Sequence, residues 1–301
     1  MNWYKNHYFA RKKAIVVYHQ LQGGNGKDGP EREGFAKGIN RTPTIMAIVT
    51  LLTDAGTSDH YVAAIKARII RINPGVRIED ITHDISPSDI AHAAFVLRAV
   101  FRDFPKGSVH LVGVNATGNK GDSYIALQLE DHFFVGSDNG LFGLISDRPH
   151  QQLVELNSLN SFDTTFPERD VFAPAAVKLA SGMPITGLGK PMPTFKKMID
   201  RQVKATKKQI TGSIIRVDKM GNLITNISKE VFDILSKGKN YTVTFGGEKF
   251  KRIHTQYNQA EQGECFLVFN SLGLLEIGIY KGNASELLGL EYDGVVNIVF
   301  E

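Results

Sequence analysis

The stretch Ala47–Ile72 reads "AIVTLLTDAGTSDHYVAAIKARIIRI", and its texture changes once, in the middle. Its first part, "AIVTLL", is a continuous apolar run of the length of a buried strand. After the polar break between Asp54 and Asp59, apolar residues recur at helical spacing. The pattern ends at Asn73-Pro74, where a helix usually stops because proline disfavours α backbone in the residue before it. Working outward, "RIEDI" (Arg77–Ile81) is a short strand. "SPSDIAHAAFVLRAVFRDFP" (Ser86–Pro105) opens with serine caps and an early proline, and sets Ile90, Ala93, Ala94, Leu97 and Phe101 on one helical face. "SVHLVGV" (Ser108–Val114) is a third strand. Strand and helix in alternation predict an α/β layer with parallel strands.

Beyond it, "YIALQL", "HFFVG" and "QLVEL" read as strands, and a helix follows around "RDVFAPAAVKLA". The basic, proline-punctuated "KPMPTFKKMIDRQVKATKKQ" reads as a connector. After it come the strand-like runs "GSIIRV", "NLITNI", "YTVTF", "CFLVF", "LLEIGIY" and "GVVNIVF", interrupted by short helices near "KEVFDILSK" and "NASELLG". The expected organisation is an extension over residues 1–45, an α/β domain with a mainly parallel sheet over 46–190, a linker over 191–209, and a smaller, mainly antiparallel β domain over 210–301.

The chain's 301 residues allow one large domain or two ordinary ones, and 42% hydrophobic with 22% charged residues is a normal globular composition. The net charge of +4 is unevenly placed: residues 1–45 hold eight Lys/Arg against three acids, or +5, which leaves the body at about −1. The body therefore has no basic excess to favour phosphate backbones, and no nucleic-acid partner is expected. The extension is polar, glycine-rich and unpatterned, with disorder as its expected state. Met46, directly before the first strand, offers a second possible start; an over-long gene start and a genuine flexible arm both stand. A single cysteine, Cys265, excludes an intrachain disulfide and suits a reducing, cytoplasmic setting. No apolar run is long enough to span a membrane.

Individual motifs carry open readings. Asp54 sits where the first strand meets the first helix, the end of an open α/β sheet at which ligands bind, and a carboxylate can accept from both hydroxyls of a ribose. Equally, Asp54 can steady the turn and Asp59 can cap the helix. "VGVNATGNKGDS" (Val112–Ser123) is no P-loop: Asn119 separates Gly118 from Lys120, and Gly121 stands where a hydroxyl is needed. His83, between Asp80 and Asp84, lacks a companion metal motif and reads as a loop histidine held by polar neighbours, so no metal is expected. "SDNGLFGLIS" reads as a turn between strands. In "VDKMGNLITNI", Asp218 and Asn222 suit either a hairpin or the ends of a bound amino acid. No G-x-S-x-G nucleophile elbow and no paired Cys/His arrangement are present.

Taken in order, "LLTDAGTSDHYVAAIKARI", "INPGVRIEDITHDISPSDIAHAAFVL", "HFFVGSDNGLFGLIS", "RDVFAPAAVKLASG", "GNLITNI" and "NSLGLLEIGIYKGNASELLGL" resemble the S-adenosylmethionine hydroxide adenosyltransferases. These are adenosine-forming S-adenosylmethionine hydrolases, relatives of the fluorinase and chlorinase, and the resemblance covers about residues 46–301. It implies two domains, a homotrimer with sites at subunit interfaces, and no cofactor beyond S-adenosylmethionine as substrate or ligand. In that reaction water or hydroxide displaces methionine from ribose C5′ and leaves adenosine. By position, Asp54 matches the ribose-binding aspartate, and Asp218 and Asn222 match the region that holds the methionine end. Tyr257 lies near the adenine-stacking aromatic position. Asn270 and Ser271 match the late Asn-Ser block.

The resemblance also marks a departure. The family holds its attacking water with an aspartate and an arginine from the loop Val-Asp-Pro-Gly-Val-Gly, two residues, Arg-Arg, and with a histidine from a later Phe-His-Gly-Arg-Asp block. Those three positions are Asn115, Asp122 and Pro167 here, and the glycine after the histidine is Glu168. Asparagine and proline cannot take a proton from water. Asp122 and Glu168 are the candidate replacement bases; the alternative is that they are solvent-facing residues of a site no longer maintained, the preferred reading for Asp122. Halogenation is disfavoured, because Glu168 falls on the halide-side serine position and its charge repels a halide. Two functions follow: a divergent S-adenosylmethionine hydrolase, or a non-catalytic adenosyl-ligand-binding homologue serving as sensor or scaffold.

Overall fold

The computed structural model describes residues 48–118, 122–156, 164–199 and 201–301. The expectations for residues 1–45 and for a start at Met46 lie outside these residues, as do Asn119, Lys120 and Gly121 of the glycine-rich loop. The chain runs β1 (Ile48–Thr53), α1 (Tyr61–Ile72), β2 (Arg77–Thr82), α2 (Ile90–Val100), β3 (Val109–Gly113), β4 (Tyr124–Leu129), β5 (His132–Ser137), β6 (Gln152–Leu156), α3 (Ala173–Ala180) and β7 (Gly189–Pro191). These strands form one sheet in the order β2-β1-β3-β5-β4-β6-β7. The first four positions are mutually parallel, and β4, β6 and β7 extend the sheet by antiparallel pairing. Central β1 is apolar along its length because both of its faces are covered: α1 and α3 pack on the side of Val49 and Leu51, and α2 on the side of Leu52. Fully buried Phe101, Phe134 and Phe172 anchor these layers, each worth about 1.5–3 kcal/mol in apolar burial.

Helix starts differ from the sequence expectation. The cap of α2 is Asp89, whose carboxylate accepts from His92 N at 2.9 Å, and not a serine. Ser88 instead takes a left-handed φ of 61° that turns its own N–H elsewhere. Asp59 does not cap α1 either; the cap position is His60, with no side-chain hydrogen bond. An aspartate caps as well as a serine, and composition alone does not say which polar residue occupies the turn.

The second sheet contains β8 (Lys204–Ala205), β9 (Gln209–Val217), β10 (Leu223–Ser228), β11 (Tyr241–Phe245), β12 (Glu248–Phe250), β13 (Cys265–Phe269), β14 (Leu274–Ile279) and β15 (Val295–Phe300), with α4 (Lys229–Ser236) and α5 (Ala284–Leu288) between strands. Its order is β12-β11-β15-β9-β10-β14-β13, with β8 pairing beside β9, and every pairing is antiparallel. One face of this sheet carries the apolar core of Leu223, Leu267, Leu275, Ile277 and Val296. On the other face the register aligns Arg216, Ile224, Glu276 and Val268 in a row across β9, β10, β14 and β13. Side chains of registered partners project together, so this row puts two charges on one surface. The result is the two-domain α/β fold expected. Among the described residues no helix is long and apolar enough to cross a membrane.

Candidate active site

At the carboxyl ends of β1 and β3, two separate loops converge on one carboxylate. Asp54 Oδ2 accepts from Ser88 N at 2.8 Å and from Asn115 N at 3.1 Å, while Asp54 N donates to Gly113 O at 3.3 Å. Ser88 and Asn115 both hold a left-handed backbone, φ 61° and 46°, which non-glycine residues rarely adopt. The charge-assisted bonds to Asp54 offset that strain. Oδ1 makes no hydrogen bond among the described residues. Thr53 beside it accepts from or donates to His83 Nδ1 at 2.8 Å, and His83 Nε2 lies 3.2 Å from Asp80 Oδ1. His83 is thus a buried structural residue of the β2 end. Among the described residues no three His, Cys, Asp or Glu side chains are grouped to hold a metal.

Glu168 joins Asp54 from the other side. It opens a π-helical turn, Glu168–Phe172, that runs into α3 behind the buried Pro167. Such turns widen a helix and recur at functional sites. Its side chain lies over Gly113: a Cβ there would meet Glu168 Cγ at 2.7 Å, so only glycine leaves the carboxylate its place at the end of β3. Burial pushes the Glu168 carboxyl up to about 7, helped by the charges of Asp54 and Asp170 and opposed by its own backbone N–H. A carboxyl that changes protonation near neutrality is matched to proton transfer. Tyr61 and Phe166 meet edge to face at 5.4 Å beside it, with the Arg169 guanidinium 5.2 Å from the Phe166 ring.

Asp122 stands apart from this pair. Its side chain is 1% exposed and ion-paired with Lys196 Nζ, which corrects the solvent-facing reading. The partner comes from the stretch after β7, 74 positions away in the chain, and no local pattern announces it. Lys196 N also donates to Asp138 Oδ1 at 2.8 Å. The "SDNG" segment likewise does more than turn the chain. Ser137 donates its hydroxyl to Ala116 O, and Asn139 Nδ2 reaches Val114 O at 3.0 Å and Asn115 O at 3.3 Å. The loop that follows β3 is therefore gripped from one side by this segment and from the other by Asp54.

A second polar cluster lies on the open face of the C-terminal sheet. Asp218 Oδ1 accepts from Met220 N and Asn222 N, each at 2.8 Å, and Oδ2 from Asn222 Nδ2 at 3.1 Å. This is the tight β9–β10 turn, and it also holds the two residues together as a binding surface would need. Asn270 Nδ2 donates to Glu276 Oε2 at 3.0 Å, and Tyr257 OH lies 3.5 Å from the same oxygen. Tyr257 is half exposed and its ring meets Phe266 edge to face at 5.4 Å. Ser271 is exposed in the turn after β13. Glu276, only 4% exposed, is the member that sequence reasoning missed. Burial raises its carboxyl, against the bonds from Asn270 and Tyr257, and the charge of Asp218 raises it further. The available signal was an acid in the middle of the apolar run "LLEIGI".

The structure thus brings Asp54, Asn115 and Glu168 together, and separately Asp218, Asn222, Tyr257, Asn270 and Glu276. Comparison with known proteins covers both domains. A family profile described as the SAM hydroxide adenosyltransferase N-terminal domain matches residues 49–189, and the corresponding C-terminal domain profile matches residues 212–297. An (R)-S-adenosyl-L-methionine hydrolase of Methanocaldococcus jannaschii is 31% identical over 278 residues, covering 87% of this chain and all of its own. The enzyme of the same name from Thermus thermophilus is 31% identical over 258 residues, 82% of this chain and 97% of its own. Among solved structures, an uncharacterized conserved protein from Thermotoga maritima superimposes with a TM-score of 0.76 at 30% identity, over 84% of this chain and 99% of that one.

Proposed function

This chain belongs to the SAM hydroxide adenosyltransferase family, and from that premise we propose that it hydrolyses S-adenosylmethionine with Glu168 as a relocated base. Water loses a proton to the Glu168 carboxylate as its oxygen forms the bond to ribose C5′. The C5′–S bond breaks with its electron pair going to sulfur, so that methionine and adenosine leave. The departing sulfonium becomes a neutral thioether and needs no general acid; the demand on the protein is a positioned, deprotonated nucleophile. The observation that carries this reading is Glu168 beside Asp54 at the end of β3, with its carboxyl raised to about 7. Asp54, with one oxygen unclaimed, is proposed for the ribose hydroxyls. Asp218 and Asn222 are proposed for the methionine end, and Tyr257, Asn270 and Ser271 for the adenine side.

In this reading the protein is a homotrimer acting in the cytoplasm, the two clusters meeting across a subunit interface, and its water site departs from the family's Asp-Arg-His arrangement. A second reading has an observation of its own: Asp122 is committed to Lys196 and Asn115 cannot accept a proton, as in an adenosyl-binding homologue without turnover. Purified protein incubated with S-adenosylmethionine separates the two. Release of adenosine and methionine that is lost in Glu168→Gln supports hydrolysis by Glu168. Binding by calorimetry without product gives the binding homologue, and no binding at all overturns both.

A further inference from the structure

A chain of side chains runs from α1 to the end of β1. Lys66 Nζ donates to Asp80 Oδ2 at 2.6 Å, and Asp80 Oδ1 lies 3.2 Å from His83 Nε2, off the line of an ideal hydrogen bond. His83 Nδ1 meets Thr53 Oγ1 at 2.8 Å, and both residues are buried. With Nε2 turned to a carboxylate, the ring proton belongs on that nitrogen. Nδ1 is then the acceptor, and the Thr53 hydroxyl donates to it. The same hydroxyl accepts from Ala55 N at 3.4 Å. Its one donor is spent away from Glu168.

The other branch of Thr53 is the one near Glu168. Thr53 is registered with Gly113 across β1 and β3. Its methyl, Cγ2, stands 3.2 Å from the point a Gly113 Cβ would occupy, and Glu168 Cγ and Oε1 stand 2.7 and 3.5 Å from the same point. Rotation about one bond exchanges the hydroxyl and methyl of threonine. A hydroxyl in the methyl's place is a donor to the carboxylate and favours its charged form. The charged neighbours of Glu168 are Asp54 at the end of β1 and Asp170 on its own turn; Tyr124 of β4 feels its charge, while Arg68 of α1 and Arg169 act on Asp170. Among the described residues, the one hydrogen bond favouring the ionised Glu168 comes from its own backbone N–H.

We infer that His83 is a positioning residue for the proposed base: it holds the Thr53 hydroxyl away, so that a methyl and not a hydrogen-bond donor faces Glu168. This rests on the reading of Glu168 as the base and deepens it, by assigning what keeps donors off that carboxyl. Lys66 and Asp80 orient the ring from behind.

The test reads Glu168 directly, by NMR titration of its isotopically labelled carboxyl in the full chain, with the signal assigned by its loss in Glu168→Gln. His83→Phe fills the ring's space and removes the acceptor. The midpoint is expected to fall from about 7 by about one pH unit, and the acid limb of kcat/KM for adenosine release with it. Adding Thr53→Val to His83→Phe leaves no hydroxyl to turn, and should return the midpoint to about 7. A midpoint unmoved in His83→Phe overturns the inference. So does a fall that Thr53→Val does not reverse, which assigns the shift to water entering a loosened site. A rise reports a lost positive charge on His83 and overturns it too. Should His83→Phe not fold, Thr53 carries the test alone: Thr53→Val, which keeps the methyl, must leave the midpoint in place, and Thr53→Ser, which removes it, must lower it. Midpoints that move as expected in a protein releasing no adenosine sink the hydrolase reading and leave the positioning role standing.

Discussion

The two acid-bearing regions of this molecule hold their charges by different means. At the ends of β1 and β3, Asp54 is fixed by backbone N–H groups of Ser88 and Asn115, from two loops whose own geometry is left-handed. Glu168 beside it is the partner whose charge can change: burial, with the charges of Asp54 and Asp170, shifts it upward, and no side-chain donor pins it to the ionised form. On the C-terminal sheet side-chain amides join in, with Asp218 held by the backbone N–H groups of Met220 and Asn222 and by the Asn222 amide, and Glu276 by the Asn270 amide. Backbone donors fix position rigidly, while a desolvated carboxyl near neutrality exchanges protons. In the proposed reading, proton transfer belongs to the first region and ligand recognition to the second.

The contrast breaks most visibly if Glu168 is not the base. Glu168→Gln is expected to lower kcat by roughly 10²–10⁴-fold with KM little changed, measured as adenosine release under saturating S-adenosylmethionine. In the wild type kcat/KM is expected to rise with pH through about 7 as Glu168 ionises, and the variant should lose that step. A retained rate and an unchanged pH profile would move the base elsewhere.

Gly113→Ala sharpens the same point without touching the acid. The added methyl would stand 2.7 Å from Glu168 Cγ and 3.2 Å from Thr53 Cγ2, so the carboxylate must shift while its chemistry stays intact. A misplacement of about an ångström can cost on the order of 10²-fold in rate; binding of adenosine, carried by other residues, should change far less.

Much of this was legible in the chain. The strand-helix alternation from Ala47 to Val114 and the strand runs after residue 210 located most elements, because burial on one or two faces writes its period into the sequence. Asp54 was legible as well, since a strand end in an α/β sheet is a predictable place. Three features were not. Glu168 meets Gly113 and Asp122 meets Lys196 through packing that no local spacing encodes, and Glu276 meets Asn270 across a hairpin and Tyr257 from outside it. The error over Asp122 is instructive: a lone acid after a glycine-rich loop has the look of surface, and its burial depends on a lysine from a stretch that reads as connector.

A stability measurement tests the first region by an independent route. Burial raises the Glu168 carboxyl from 4.5 to about 7 in the folded protein. The folded state therefore keeps a proton that the unfolded chain releases over that window, and stability falls as pH rises through it. Above about pH 7 the ionised group is a net cost, on the order of 1–2 kcal/mol once its partial exposure is allowed for. Glu168→Gln removes that cost. Its Tm is expected to exceed the wild type's by about 2–5 °C at about pH 8, and the gain should vanish near about pH 4.5. An inactive variant that is more stable is the pattern of a residue kept for chemistry.

The smallest effect concerns Asp122, and it decides between the two candidate bases. Its carboxylate is 1% exposed and paired with Lys196, whose own side chain is 53% exposed. A group held this way has little freedom to collect protons from water. Because Lys196 remains hydrated when its partner is lost, Asp122→Asn should cost less than a fully buried pair would, about 1–2 kcal/mol, seen as a lower midpoint in urea. Turnover should stay within about threefold of the wild type, a difference below about 0.7 kcal/mol in barrier, and the pH step near 7 should remain in place. A rate loss comparable to that of Glu168→Gln would make Asp122 part of the chemistry, and the proton-transfer region would have to be redrawn to include the Lys196 pair.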